Sequence, residues 1–202
     1  MTNEKKIGKI KKIVLAAGES KRFGDKNKLS EIINGKPIIN HILDTLFEIF
    51  DSSQLIVIVG HENKIIKNLI FNKDIKVLEN LEYKKGIGTS IALGVKHLES
   101  DIDGVMIIPA DMPYINSKDL INLETKFLEL NCEKVVMPEH NSKIGNPVIL
   151  PRNYFNTLKS LKEDFGARSL IEKKDIITFK SGFGTIFDID TIDDLANTKK
   201  SF

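Results

Sequence analysis

The chain has a single cysteine, no surplus of charge and no long apolar run, and each lack removes a class of protein. Cys132 cannot close an internal disulfide, which fits a reducing cytoplasm; it reads as a small buried hydrophobe. With 30 basic residues against 28 acidic ones the formal charge is +2, so neither a nucleic acid nor a membrane surface is implied as a partner. No stretch approaches the roughly 18 apolar residues of a membrane helix. The apolar run behind the basic segment Met1–Lys12 stops at Gly18, too short for a secretion signal. A cytoplasmic protein is expected. The glycine fingerprints of dinucleotide and P-loop sites are also missing, which disfavours a dehydrogenase. His41, His61, His97 and His140 show neither metal-ligand spacing nor a partnered nucleophile. His41 and His97 read as helix-face residues, His61 and His140 as loop residues.

What remains is the composition of a soluble globular protein, 41% hydrophobic and 29% charged over 202 residues. Without repeats, low-complexity tracts or a linker, one domain over residues 1–202 is expected. A basic, solvated tail is expected over residues 1–10, with Lys5, Lys6 and Lys9 followed by Lys11 and Lys12. Strand and helix patterns alternate beyond it. Ile13–Leu15, Gln54–Val59, Lys76–Leu78 and Gly104–Ile108 read as buried strands. Helices are expected after Gly35-Lys36-Pro37, with proline in the first turn, around Ile65–Ile70 and Ile91–Leu98, and from Ser117. Continuous apolar strands between amphipathic helices predict a three-layer αβα, Rossmann-like domain with a mostly parallel sheet. Ligands of such sheets collect at the carboxyl ends of the strands.

The most informative stretch is Leu15-Ala-Ala-Gly-Glu-Ser-Lys-Arg-Phe-Gly24, followed by Asn27-Lys28-Leu29. Ala16, Ala17 and Gly18 carry little or no side chain, so backbone N–H groups can approach phosphate oxygens. Ser20 adds a small donor, Arg22 a planar fork and Lys28 a point charge, while Gly24 lets the loop turn. This is the chemistry of a polyphosphate cradle, although a strand-to-helix turn with surface lysines would share its composition.

Asp111 ends the strand in Ile107-Ile-Pro-Ala-Asp-Met-Pro113, either as a turn residue or as a hard ligand for Mg2+. Asp188 is read as ending an apolar strand and as a second metal ligand; Asp190 or Thr191 is read as capping the helix that follows. Gly86-Ile-Gly-Thr-Ser90 can present N–H groups to a base or phosphate or be a plain loop-to-helix junction. Asn80 opens the polar loop before it. Gly145-Asn146-Pro147-Val148 is a turn before a short strand. Asp164-Phe-Gly-Ala-Arg168 puts a carboxylate near a helix start, with Arg168 able to reach an anion.

Together these stretches resemble the nucleotidyltransferases of the nucleotide-diphospho-sugar transferase fold, and within them the molybdenum cofactor cytidylyltransferases. The resemblance covers Ile13 to Leu195 through five motifs in order. It implies nucleotide binding by Leu15, Ala16, Ala17, Gly18, Ser20, Arg22, Lys28, Asn80, Gly86, Gly88, Ser90 and Asp111, with Arg22, Lys28 and Asp111 catalytic. It implies Mg2+ on Asp111 and Asp188, and an acceptor side formed by Gly145, Asn146, Pro147, Asp164, Gly166, Ala167 and Arg168. Gly86–Ser90 departs from the serine-rich form of its motif, and Ile192 replaces the usual proline after Thr191. Ala17 matches the cytidylyl pattern, so CTP and molybdopterin are the implied substrates, with transient contact to a molybdenum-enzyme recipient. The alternatives are another phosphorylated acceptor, such as a sugar or alcohol phosphate, or a maturation chaperone that binds without transfer. Lys28→Ala is expected to lower kcat/KM while a circular-dichroism melt stays unchanged. An equal loss with Lys26→Ala would reduce the motif to general surface charge.

Overall fold

The computed structural model describes residues 8–23, 27–72 and 74–201. Gly24 and Lys26 of the loop, and Lys5 and Lys6 of the expected tail, lie outside the described residues. Strand β1 (Ile10–Ala16) is followed by a short hairpin of β2 (Ile32–Ile33) and β3 (Lys36–Pro37), then helix α1 (Ile38–Ile49). Next come β4 (Leu55–Val59), α2 (Asn63–Leu69), β5 (Lys76–Glu79), α3 (Ile87–Lys96), β6 (Gly104–Pro109) and α4 (Ser117–Glu129). The last part holds β7 (Val135–His140), β8 (Lys143–Ile144), β9 (Val148–Pro151), α5 (Phe155–Lys159), β10 (Ile176–Lys180) and α6 (Ile192–Ser201).

The main sheet has the order β10-β7-β9-β6-β1-β4-β5, with β8 attached to β7. Strand β1 pairs in parallel with β4 and β6, β4 with β5, and β7 with β10; β9 runs against both β6 and β7. Because two reversals restore direction, β7 and β10 end at the same edge as β1, β4 and β6. Side chains alternate between two apolar layers, as the period of two in a strand requires. Val14, Val57 and Met106 pack with α1, α2 and α4 on one face; Ile13, Ile56 and Val105 pack with α3 and α5 on the other. This is the expected mixed α/β architecture with a mostly parallel sheet. No described helix is long and apolar enough to cross a membrane.

Several local expectations are corrected. Asn34 and Gly35 have φ of 49° and 77°, the left-handed pair of a tight hairpin turn, so β2 and β3 form before the helix. Pro37 therefore sits at the N-cap of α1 rather than in its first turn. Helix α3 starts at Ile87, earlier than expected, and Asn116 rather than Ser117 caps α4, accepting from the Asp119 N–H. His140 ends a strand rather than lying in a loop. Cys132 is only partly buried and has φ of 59°.

The basic segment is not a solvated tail through Lys12. Ile10 is already in β1, Lys9 pairs with Asp101, and Lys11 contacts Glu99 at 3.0 Å. Lys12 is wholly buried: its Nζ lies 3.1 Å from Glu124 Oε2, 3.2 Å from the Ile10 carbonyl and 3.8 Å from the Phe50 ring centroid. Burial pulls its ammonium below the ordinary lysine value, opposed by the Glu124 carboxylate. Removing Glu124 strands the wholly buried Lys12 ammonium, whereas removing Lys12 leaves a carboxylate whose side chain is 17% exposed and partly in reach of water. Glu124→Gln is expected to cost about 3 kcal/mol, or about 6–12 °C in Tm, with Lys12→Met costing less in the same thermal melt.

Candidate active site

A cavity of about 520 Å³ opens at the carboxyl ends of β1 and β6. Leu15, Ala17, Gly18, Ser20, Arg22 and Lys28 line it, together with Gly86, Ser90, Asp111 and Asp164. Packing shapes the loop that enters it. Ser20 takes φ of 54°, its carbonyl accepts from the Phe23 N–H at 2.7 Å, and buried Phe23 anchors the turn. Asn27 caps the next turn by accepting from the Leu29 N–H at 3.1 Å, and the Lys28 N–H donates to the Ser20 hydroxyl at 3.2 Å. Lys28 is thereby held with its side chain facing the end of β6.

There its Nζ donates to Asp111 Oδ2 at 2.5 Å and to Asp190 Oδ1 at 3.0 Å, while Arg22 reaches Asp190 Oδ2 at 2.7 Å. Burial lowers the Lys28 ammonium, but Asp111 and Asp190 outweigh it and hold the group above the ordinary lysine value. It stays charged at neutral pH. One carboxylate oxygen from each of Asp111, Asp188 and Asp190 lies within 4.8 Å of the other two. Asp111 Oδ1 is buried and has no hydrogen-bond partner among the described residues. A buried acceptor left bare beside two further carboxylates fits a hard cation such as Mg2+, which takes oxygen ligands.

The approach to Asp188 differs from expectation. The segment from Phe187 to Asp190 is not part of a strand; it follows a 3-10 turn over Phe183–Ile186. What fixes it is the Ile189 N–H, donated to the Asp111 carbonyl at 3.0 Å, and the fully buried Ile189 side chain. Asp190 is not the cap of α6. Asp194 accepts from the Thr191 N–H at 2.8 Å and from the Asp190 N–H at 3.1 Å, while the Thr191 hydroxyl accepts from the Asp194 N–H. That reciprocal cap leaves the Asp190 carboxylate to the two cations. The signal for it was the spacing Asp188-Ile189-Asp190, since alternate residues of extended chain share a side.

Other positions are committed within the protein. Ala16 points into the core. The Asn80 amide donates to the Thr89 and Ser90 hydroxyls at 2.8 Å each and accepts from the Glu82 N–H, so it braces the 80–90 loop. Gly86 has φ of 114°, and a Cβ there would come within 2.4 Å of the Glu163 backbone. The Gly88 N–H donates to the Glu163 carbonyl at 3.0 Å. These glycines seat the 162–165 backbone on the start of α3, which brings Asp164 to the cavity. Lys84 and Lys85 line the same wall, and sequence reasoning passed over both.

Gly145, Asn146 and Pro147 lie outside the cavity, as do Gly166, Ala167 and Arg168. Asn146 N–H donates to the Thr185 carbonyl at 2.7 Å, and Arg168 donates to the Gly145 carbonyl and, at 3.3 Å, to that of Ile144. Arg168 thus ties the 164–168 stretch to the 144–146 stretch. Burial lowers its pKa while Asp188 opposes the shift, which sets this assembly beside the carboxylates.

Residues 12–177 match the model of the MobA-like NTP transferase domain. The chain belongs to that family. It is 27% identical over 170 residues to the bifunctional protein GlmU of Legionella pneumophila strain Philadelphia 1, covering 81% of this chain and 34% of that protein. The chain spans a quarter to a third of the length of such curated relatives. Among solved structures, an Rv0371c homologue from Mycobacterium sp. strain JC1 aligns with a TM-score of 0.80 at 22% identity, covering 95% of this chain and 98% of that one. Molybdopterin-guanine dinucleotide biosynthesis protein A from Archaeoglobus fulgidus aligns at 0.64 with 18% identity, covering 94% and 97%. Both likenesses are of fold.

Desolvation, then the like charges of Asp111 and Asp190, raise the Asp188 carboxyl above the ordinary aspartate value. Asp188 is open to solvent on one side, so repulsion by fixed neighbours is the more robust cause. An acid whose folded pKa is raised opposes folding once ionised, and that penalty grows as pH rises through the unfolded and then the folded pKa. In metal-free buffer at neutral pH, Asp188→Asn is therefore expected to raise Tm, an advantage that fades in acid. Mg2+ at 100 times its Kd should raise the Tm of the unaltered protein by about 5–10 °C and that of the variant by much less. Equal shifts in a calorimetric scan would remove Asp188 from the cation site.

Proposed function

We propose that this protein is an Mg2+-dependent nucleotidyltransferase that transfers CMP from CTP to the terminal phosphate of molybdopterin and releases pyrophosphate. The observation that carries the proposal is the group formed by Asp111, Asp188 and Asp190, bridged by Lys28 and fed by a glycine- and cation-lined cavity. The fold shared with molybdopterin-guanine dinucleotide biosynthesis protein A is compatible with that acceptor.

The acceptor's phosphate oxygen attacks the α-phosphorus of the nucleotide, and the bond from that phosphorus to the oxygen bridging the β-phosphate breaks. A phosphate monoester, with a second pKa of about 6, is already largely dianionic at neutral pH, so no general base is required. The chain then has to position and neutralise. Ala17 and Gly18 let the backbone approach the phosphates, Arg22 offers a planar fork, and Lys28 carries a permanent charge to the end of β6. Asp111, with Asp188 and Asp190, would hold Mg2+, which supplies charge neutralisation at the phosphates when bound.

Asp164 supports cytosine over uracil as the base. A carboxylate only accepts hydrogen bonds, so it matches the N4 amine of cytosine and opposes the O4 acceptor at the same place in uracil. The decisive assay offers each nucleoside triphosphate with Mg2+, with and without molybdopterin, and follows pyrophosphate. CTP with molybdopterin should give the fastest release, and Asp164→Ala should erode its preference over UTP by about tenfold. Faster turnover with GTP would overturn the cytidylyl assignment. Release with a sugar phosphate but not with molybdopterin would overturn the acceptor, and none with any acceptor would leave a binding protein.

A further inference from the structure

The two side chains best suited to phosphate are already spent on the carboxylates. Lys28 Nζ takes Asp111 Oδ2 at 2.5 Å and Asp190 Oδ1 at 3.0 Å, and Arg22 takes Asp190 Oδ2 at 2.7 Å. Asp190 therefore has one oxygen on each cation. Asp111 keeps a single oxygen without a hydrogen-bond partner among the described residues, and Asp188 is exposed. Two other cations of the cavity are engaged as well, Lys21 with Glu19 at 3.0 Å and Lys85 with Glu82. In this state a free nucleotide meets cations that are already neutralised. A free divalent ion meets carboxylates that are already neutralised, with an ammonium among them.

Only one side of these pairs is free to move. Asp111 follows Ala110, whose N–H donates to the Leu15 carbonyl at 3.2 Å, and the Asp190 N–H is held by Asp194 at 3.1 Å. The turn that carries Lys28 is closed through main-chain N–H groups by Asn27 and Ser20, which leaves its side chain unconstrained by that closure. A lysine is a point charge on a flexible four-carbon stem. The Arg22 side chain is 72% exposed. The carboxylates stay and the cations can swing.

We infer that Lys28 and Arg22 are stand-in cations on Asp111 and Asp190, which exchange them for a divalent ion as the two released side chains pass to the nucleotide's phosphates. The inference rests on the nucleotidyltransferase reading and adds to it how the site selects the metal–nucleotide complex over either component alone. The exchange is a single coupled equilibrium. Nucleotide must then tighten ion binding by the same factor by which the ion tightens nucleotide binding. A side chain that serves the loaded site thereby weakens binding of the ion on its own.

The test titrates Mn2+, followed by its electron-spin resonance signal, into the full chain, first alone and then with a non-hydrolysable CTP analogue. Lys28→Met keeps the stem and removes the charge; it should bind Mn2+ alone about tenfold more tightly than the unaltered protein. Arg22→Leu should tighten Mn2+ by a smaller factor, since an exposed pair is screened by water. Lys28→Arg should bind Mn2+ as the unaltered protein does, and the analogue should tighten Mn2+ less in Lys28→Met than in the unaltered protein. Lys84→Met, which removes an exposed cation lining the same cavity, should change little. Equal or weaker binding of Mn2+ alone by Lys28→Met would overturn the exchange, as would an equal gain in Lys84→Met, which would reduce the effect to the general field. Should Lys28→Met fail to melt cooperatively, Arg22→Leu decides by the same criterion. Failure of the analogue to bind the unaltered protein even with Mn2+ would instead overturn the nucleotidyltransferase reading, and the exchange with it.

Discussion

Three carboxylates crowded at the end of β6 are the constraint on which the rest of the structure depends. Like charges at such spacing repel, so each must be pinned by backbone that the repulsion cannot move. Asp111 sits in the turn two residues past the central strand β6, Asp188 is tied through the neighbouring N–H to the Asp111 carbonyl, and Asp190 is braced by the Asp194 cap. Lys28 supplies the compensating charge from a loop whose own turns are closed by Asn27 and Ser20. Residues from opposite ends of the chain thus meet at one edge of the sheet. The parallel arrangement produces that meeting, because it brings strand ends together irrespective of sequence distance.

The same edge separates chemistry by position. Basic side chains from the loop after β1 and from the segment before α3 gather on one half, where the overall charge of +2 gives no hint of them. Ring faces gather on the other half, beyond the antiparallel strand β9. Arg168 braces the same edge indirectly, because its donors hold the 144–146 segment.

Much of this was legible in the residues. Strands β1, β4 and β6 are short apolar runs, and burial on both faces writes them plainly; Lys28 and Asp111 sit where small-residue loops leave such strands. The rest depended on contacts that no local pattern carries. Asp188 looked like a strand end because Ile186, Phe187 and Ile189 are apolar, yet that segment is held by a single backbone bond to Asp111. Of the two expected caps, Thr191 does cap α6 together with Asp194, whereas the Asp190 carboxylate faces Lys28 and Arg22. The Asn34-Gly35 pair is itself a local hairpin signal, with φ of 49° and 77°. Gly86 and Gly88 had the composition of a phosphate loop, but their missing side chains make room for the 162–165 backbone.

If the carboxylates act as one unit, their effects on the rate cannot be independent. The direct measurement is kcat for Asp111→Asn, Asp188→Asn and the double variant under saturating CTP, acceptor and Mg2+. Each single change should lower kcat by about 100-fold or more, the scale of losing one well-placed electrostatic stabiliser. The double variant should lose far less than the product of the two. A silent Asp188→Asn beside an inactive Asp111→Asn, or two losses that simply multiply, would contradict a joint site.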